Sequence, residues 1–180
     1  MRKIIDSIAG EYRRYKALGE GAMRQLTEAQ LAERAPGEGN SVTTLVWHMA
    51  GNLKSRFTDF LTSDGEKSWR DRDTEFEARR ASADELFAKW EDGWQALRSA
   101  LDALSDEDLD RQVLIRGQPL SVIEALQRSL THASYHVGQI VFLAKSLRGA
   151  EWQYLTIPPG TSRQYNERPT LERGPRKDTR

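Results

Sequence analysis

The sequence from Ser121 to Gly149 reads SVIEALQRSLTHASYHVGQIVFLAKSLRG and decides the fold of this chain. Its apolar residues recur in steps of three and four, which places them on one face of an α-helix of about seven turns. These residues are Ile123, Leu126, Leu130, Ala133, Val137, Ile140, Ala144 and Leu147. Pro119 and Ser121 are typical of a helix start, and Gly149 is typical of a helix end. The pattern predicts a long amphipathic helix over about 120–148.

Three further stretches have the same helical spacing of apolar residues and predict helices over about 2–26, 41–62 and 82–104. The last of these opens with Ser82 and has Glu85 three residues later, which is the spacing of a capping box. No stretch alternates apolar and polar residues with the period of a β-strand. The sequence therefore predicts an all-α fold.

The connection between the second and third helices, residues 62–80, is long, polar and irregular. A connection of this length can cross a bundle, which favours a four-helix bundle with a long crossover between helices 2 and 3 over simple up-down-up-down topology. Trp69 and Phe76 indicate that the crossover is ordered. We expect a single domain over 1–167 and a disordered tail over 168–180, which is charged and lacks aromatic residues.

The composition restricts the classes of function. The sequence has 27 Lys and Arg residues against 27 Asp and Glu residues, and this balance argues against nucleic acid and anionic membranes as partners. It has no cysteine, which excludes a thiolate nucleophile and cysteine-type zinc sites. No stretch approaches the roughly 20 apolar residues needed to span a bilayer. We expect a cytoplasmic protein that acts on a small molecule.

The chain has three histidines, and two of them, His132 and His136, lie four residues apart on the last predicted helix. Side chains at this spacing share a face, so the two imidazoles can chelate one ion. His48 on the second helix can supply a third nitrogen if the helices are adjacent, which leaves a coordination position for water or substrate. The alternative is an accidental pair on a helix surface. Because His48 lies away from the apolar stripe of its helix, we expect a cleft at the edge or end of the bundle.

Several polar residues are candidates for contacts with a substrate or cofactor. Asn52 lies one turn after His48, and Gln139 lies three residues after His136. Asn52 is a candidate for orienting a ligand or a water molecule, with helix capping or solvent contact as the alternative, and Gln139 is a candidate for contacting the groups around the histidines. Tyr135 points elsewhere on the helical wheel, and we expect it to pack against the protein.

The crossover contributes a further set of charged candidates. Its arginines can bind carboxylate or phosphate groups, and its carboxylates can act as a general base. The catalytic candidates are Asp64, Glu66, Arg70 and Asp73, and Arg72 is a candidate for binding a cofactor or substrate. The alternative is a salt-bridged loop that docks the crossover onto the helices, and the usual solvation of charged runs favours it.

Five segments carry a resemblance to a known family. They are WHMAGNL over 47–53, SRFTDFLTSDGEK over 55–67, WRDRD over 69–73, HASYHVGQI over 132–140 and IPPGTS over 157–162. These segments resemble the DinB-like family, the damage-inducible and YfiT-like four-helix metalloproteins, and more narrowly its DUF1572 branch. The resemblance covers most of the chain, and the run through residues 64–67 is its most specific part.

The resemblance implies a metal site and a range of reactions. By analogy with the family, His48, His132 and His136 would bind one divalent ion, commonly zinc or nickel. Some relatives transfer a low-molecular-weight thiol such as bacillithiol, mycothiol or glutathione, and the family commonly forms homodimers. One hypothesis is therefore a metal-dependent enzyme of the thiol transferase or hydrolase type. The other is a non-catalytic module in which the metal stabilises helix packing or dimerisation.

Overall fold

The computed structural model describes residues 2–37 and 39–171, and this part of the chain is mostly helical with one small β-hairpin. The helices are α1 (Lys3–Met23), α2 (Glu28–Ala32), α3 (Val42–Phe57), α4 (Ala83–Ala103), α5 (Val122–Arg148) and α6 (Ser162–Glu167). The strands are β1 (Gln112–Ile115) and β2 (Gln118–Ser121), and 3-10 turns lie at Thr74–Phe76, Asp106–Asp108 and Gly149–Glu151. The prediction of a helical protein is confirmed. The predicted tail lies largely outside the described residues.

Serine side chains set the starts of the three helices that matter most for the site. Ser41, Ser82 and Ser121 each accept a hydrogen bond from the backbone N–H three residues further on, which satisfies a donor that the helix itself leaves unpaired. In α4 and α5 the glutamate at that third position bonds back to the cap, so that both helices begin with a complete capping box.

The second predicted helix ends earlier than its apolar spacing indicates. We predicted its end near residue 62, whereas α3 ends at Phe57. Thr58 has an extended backbone, and Asp59 has a positive φ of 49°, a conformation that a continuing right-handed helix does not allow. Phe60 nevertheless stays buried, because the turn after the helix folds back and stacks its ring against Phe57.

The four long helices pack in pairs around one apolar core. Helix α3 contacts α4 and α5, and α1 contacts α5 and α4. Tyr12, Trp90 and Trp94 are almost fully buried at the centre of this core. Helices α3 and α4 approach closely at Gly93, where a Cβ atom would lie 2.6 Å from the Cα atom of Ala50. The absence of a side chain at this point lets the two backbones come together.

The hairpin was not predicted from the sequence. Strands β1 and β2 are antiparallel and are joined by Arg116 and Gly117, which both have positive φ, at 55° and 71°. This is the backbone of a type I′ turn, whose twist matches that of paired strands. Each strand has four residues, which is too short for a period of two to stand out from the helical spacing around it.

The long connection between α3 and α4 is tied to this hairpin. The N–H of Gly65 donates to the carbonyl of Leu114 at 2.7 Å. The carboxylate of Asp64 accepts from the N–H groups of Arg116 at 2.8 Å and Gly117 at 2.7 Å, which lie in the hairpin turn. The connection is therefore bonded to the hairpin at both a strand and the turn. No helix in the described ranges is both long enough and apolar enough to cross a membrane.

Candidate metal centre

The structure brings the three histidines together although they come from distant parts of the chain. His48 lies on α3, and His132 and His136 lie on α5. The Nε2 atom of His132 lies 3.2 Å from Nε2 of His48 and 3.2 Å from Nε2 of His136. One nitrogen from each residue lies within 4.8 Å of the other two, so that the set could hold a metal ion.

These distances fit imidazole coordination. Zinc binds histidine nitrogen at about 2.0–2.1 Å, and two such nitrogens at tetrahedral angles lie about 3.3 Å apart. The two Nε2–Nε2 separations of 3.2 Å are close to this spacing. Three neutral nitrogens with no thiolate suit a divalent transition metal such as zinc, nickel, copper or iron.

The outer nitrogens of two rings have partners that fix the tautomer. Nδ1 of His48 lies 2.9 Å from Oε2 of Glu75, and Nδ1 of His136 lies 2.7 Å from Oε1 of Gln139. Both partners are acceptors, so each Nδ1 carries the proton and each Nε2 presents a lone pair. Both lone pairs lie 3.2 Å from Nε2 of His132, and this nitrogen can donate a proton to only one of them. A cation held among the three nitrogens satisfies them all.

The protonation equilibria of the pair on α5 favour the neutral form that a metal requires. Burial, together with the neighbouring His136 and His48 and the guanidinium groups of Arg70 and Arg56, lowers the pKa of His132 to about 3. Burial also lowers the pKa of His136, although the hydrogen bond with Gln139 opposes the shift. Both rings are therefore poised to act as ligands at neutral pH.

Glu75 was not among the site residues predicted from the sequence. It accepts hydrogen bonds from Nε of Arg70 at 2.8 Å and from Nη2 of Arg70 at 2.9 Å, in addition to its contact with His48. Burial raises the pKa of Glu75, but the hydrogen bonds from His48 and Arg70 outweigh it and lower the pKa below its usual value. Glu75 is therefore ionised and paired with Arg70, and it holds Nδ1 of His48 so that Nε2 of His48 faces His132.

The surface of α3 leaves space for this carboxylate. Gly51 lies on the same helix as His48, and a Cβ atom at this position would lie 2.7 Å from Cδ of Glu75 and closer still to one of its oxygens. Side chains do not approach one another this closely without a shift of one of them. Gly51 therefore allows Glu75 to reach His48.

The centre is more enclosed than the helical wheel suggested. We expected a cleft because His48 lies off the apolar stripe of its helix, but only 4% of its surface is exposed. The ring of Phe76 from the connection covers it, with centroids 4.7 Å apart. The wheel describes packing between helices, and it does not include a connection that folds over them. His132, in contrast, is half-buried and faces a cavity.

This cavity has a volume of about 600 Å³, and it is lined by all three histidines. The candidates Asn52 and Gln139 also line it, and Gln139 is the acceptor for His136. Tyr135 lines it too, with a ring centroid 4.9 Å from that of His136. Our expectation that Tyr135 packs against the protein was wrong, since 63% of its surface is exposed.

The charged candidates of the connection do not form one cluster. Arg70 and Arg72 line the cavity, and Arg70 also holds Glu75. Asp64 caps the hairpin turn, and Glu66 forms ion pairs with Arg56 and Arg116, both at 3.0 Å.

The side chain of Asp73 is 98% exposed, and its nearest cation is a nitrogen of Arg72 at 3.9 Å. The contacts of Asp64 and Glu66 are those of the alternative interpretation, a salt-bridged loop that docks the connection.

Of the comparisons with known proteins, one solved structure supports the fold, and none gives an activity. The sequence model of the family described as "Protein of unknown function (DUF1572)" matches residues 1–161. No curated protein matches the chain. A crystal structure described as that of "the conserved protein of locus from Enterococcus faecalis" has a TM-score of 0.61 and 22% sequence identity, and the match covers 83% of this chain and 99% of that one. At this level of identity the likeness supports the fold alone.

Proposed function

Because the chain belongs to DUF1572, a family of proteins of unknown function, we propose from its own residues that it is a DinB-like metalloprotein with a four-helix bundle. In this proposal His48, His132 and His136 bind one divalent transition metal, zinc or nickel, and the protein is an enzyme that acts on a small molecule. The observation that carries the proposal is the convergence of the three Nε2 atoms, with two separations of 3.2 Å.

The arrangement around the histidines supports a catalytic role over a purely structural one. His48 and His136 are buried and held by Glu75 and Gln139, and together with the half-buried His132 they line a cavity large enough for a metabolite. When bound, a divalent metal supplies Lewis acidity, which favours deprotonation of a thiol or a water molecule at neutral pH. The residues of this chain orient the ligand nitrogens, exclude solvent from His48 and leave one side of the site accessible.

Two reaction types fit these properties, transfer of a low-molecular-weight thiol and hydrolysis. The chain has no cysteine, so any thiol would come from a cosubstrate. The competing proposal is a non-catalytic module in which the metal joins α3 to α5, and the burial of two of the three ligands is the observation in its favour. This module predicts that a chelator lowers the unfolding temperature strongly, and that no thiol or ester is turned over.

Metal content tests the site directly. We expect purified protein to contain about one equivalent of zinc or nickel by elemental analysis. The double variant His132→Ala/His136→Ala should lose this metal while its far-UV circular dichroism stays helical, and Ser134→Ala on the same helix should keep the metal. Equal metal content in the double variant and in the control contradicts the site assignment.

Turnover is the second measurement. Metal-loaded protein is incubated with glutathione or bacillithiol and an electrophile such as monochlorobimane, and in parallel with an aryl ester. Loss of thiol consumption or ester hydrolysis in the His132→Ala/His136→Ala variant supports the enzyme, whereas the absence of turnover in both proteins favours the module.

The proposal also includes a cytoplasmic homodimer, as the family resemblance implies. Tyr135 and Phe142 lie seven residues apart on α5 and are 63% and 75% exposed, which supports an interface along this helix. Light scattering measures the mass of the particle, and Phe142→Glu should shift a dimer to a monomer.

A further inference from the structure

The cavity beside the histidines has an unusual balance of charged side chains. Five arginines line it, and none of its lining residues within 2–37 and 39–171 is an aspartate or a glutamate. The arginines are Arg56, Arg70, Arg72, Arg116 and Arg128. Guanidinium groups gathered around a cavity without carboxylates among its walls favour an anionic ligand.

Three of these arginines form ion pairs within the protein. Arg56 and Arg116 share Glu66, each at 3.0 Å, and Arg70 lies 3.8 Å from the same carboxylate. Arg70 is also bonded to Glu75. Their guanidinium groups are therefore largely committed to ion pairs within the connection and the hairpin.

The other two arginines keep donors for a ligand. The guanidinium of Arg128 has no hydrogen-bond or ion-pair partner in the part of the chain that the structure describes. The nearest carboxylate to Arg72 is the exposed Asp73 at 3.9 Å, and the guanidinium of Arg72 lies over the ring of Phe76 at 4.9 Å. The ring uses no N–H donor of the guanidinium, and half of the Arg72 side chain is exposed, so its donors are available to a ligand.

The charges do not cancel around the cavity. The carboxylates in ion-pair contact with the five arginines are Glu66, Glu75 and Asp73, so two positive charges remain in excess. The potential in the cavity is positive, and it attracts an anion from solution.

The cavity also has apolar lining residues. The aromatic rings of Phe57, Phe60 and Phe76 line the same cavity. Its volume of about 600 Å³ lies within the range of pockets for small organic molecules. The combination of guanidinium donors and aromatic rings suits an amphipathic ligand with an anionic end.

We propose that the substrate of this centre is a small organic molecule with a carboxylate or phosphate group, which Arg72 and Arg128 bind while its apolar part contacts Phe57 and Phe60. The inference rests on the proposed function, because it takes the cavity shared with His132 as the substrate site. Arginine forms paired hydrogen bonds with either type of oxyanion. The anion fixes one end of the molecule, which places the rest of it beside the histidines.

Isothermal titration calorimetry on the metal-loaded protein tests this proposal with three probes that share a phenyl ring. They are phenyl phosphate, phenylacetate and the uncharged 2-phenylethanol. We expect at least one anion to bind at least tenfold more tightly than the alcohol, and comparison of the two anions identifies the preferred oxyanion. Equal affinity for the alcohol and both anions, or no binding of either anion, overturns the proposal.

Substitution of cavity arginines can be compared with substitution of an arginine outside the cavity. Arg72→Gln/Arg128→Gln should weaken binding of the preferred anion at least tenfold, and Arg163→Gln, an exposed arginine on α6 outside the cavity, should leave it unchanged. Undiminished binding by the double variant overturns the proposal.

Metal analysis of the same samples tests the anion site and the metal centre separately. Anion binding that persists in metal-free His132→Ala/His136→Ala and depends on the arginines supports the anion site. If the unaltered protein also carries no metal, this result leaves the anion site standing and removes the metal centre. Anion binding that requires the metal but is unchanged in Arg72→Gln/Arg128→Gln overturns the anion site and leaves the metal centre intact.

Discussion

Two of the three histidines are held in place by different means. His136 is bonded through Nδ1 to Gln139, which lies three residues later on the same helix, at 2.7 Å. His48 is bonded through Nδ1 to Glu75, which lies 27 residues away in the connection, at 2.9 Å. The hydrogen-bond partner of His136 is therefore close in sequence and uncharged. The partner of His48 is distant in sequence, ionised and paired with the buried Arg70.

The difference shows that half of the candidate centre forms with its helix and half forms only with the tertiary fold. Helical geometry alone brings residues three apart onto one face, so α5 carries His136 and Gln139 together. Glu75 reaches His48 only when the connection has folded over α3, where Phe76 packs on the same imidazole. Changes on the distant side should therefore affect stability and metal affinity together, whereas changes on the local side should affect affinity alone.

The largest effect is expected for Glu75→Ala. The side chain of Arg70 is 2% exposed, and removal of Glu75 leaves its buried guanidinium without the paired hydrogen bonds. Loss of one partner of a buried ion pair costs about 3–5 kcal/mol. Urea unfolding of the metal-free protein measures this cost. Glu75→Gln, which keeps the volume and one acceptor, should lose less, and an unchanged midpoint for Glu75→Ala would show that the connection does not depend on this pair.

An intermediate effect is expected for Gly51→Ala. The added methyl group must displace Glu75 from His48, and overpacking of this kind costs about 1–3 kcal/mol. Both the unfolding midpoint and the affinity for zinc should fall. Gly138→Ala is the control, because a Cβ atom at this position on α5 would meet nothing within 4 Å, and alanine should stabilise that helix by up to about 1 kcal/mol. Similar behaviour of the two variants would contradict the role of Gly51.

A smaller effect, confined to the metal, is expected for Gln139→Ala. Loss of the partner that orients a ligand histidine weakens metal binding about tenfold, or about 1.4 kcal/mol. Competition with a chromophoric chelator measures the affinity, and the unfolding midpoint of the metal-free protein should change by less than about 0.5 kcal/mol. Gln127→Ala on the exposed part of α5 should change neither quantity. A large loss of stability in Gln139→Ala would remove the distinction between the two supports.

The smallest effect is expected for substitution of Asp64, whose carboxylate bonds the connection to the hairpin turn. The N–H groups of Glu66 and Gly117 lower the pKa of Asp64 below 3.8, and burial only partly opposes the shift. A carboxyl group whose pKa is lower in the folded state stabilises the protein above pH 3.8, and this contribution is lost as the pH falls through the folded pKa.

Asp64→Asn should therefore reduce the stability at pH 6 by less than about 1 kcal/mol and flatten the acid limb of the stability profile. Thermal unfolding from pH 6 to pH 2.5 measures both changes. Asp73→Asn is the control, because its side chain is 98% exposed and should leave the profile unchanged. A steep acid limb that persists in Asp64→Asn would assign it to other carboxylates.

The predictions from the sequence succeeded where a local repeat carried the information. Helices α1, α3, α4 and α5 lie within or close to the ranges given by the apolar spacing, and the serine caps begin three of them. The pairing of His132 with His136 also follows from helical spacing. The end of α3 and the short hairpin were missed, because a positive φ at Asp59 and two strands of four residues leave little trace in the apolar pattern.

The sequence by itself determined a helical protein whose three histidines are candidate metal ligands, since these properties depend on residue type and on spacing within single helices. Tertiary structure decided which groups surround those histidines. Glu75 and Arg70, the cover provided by Phe76 and the arginine-lined cavity all come from a connection whose path depends on contacts with distant residues. Such contacts are set by the packing of the whole chain, and no periodic pattern along the sequence records them.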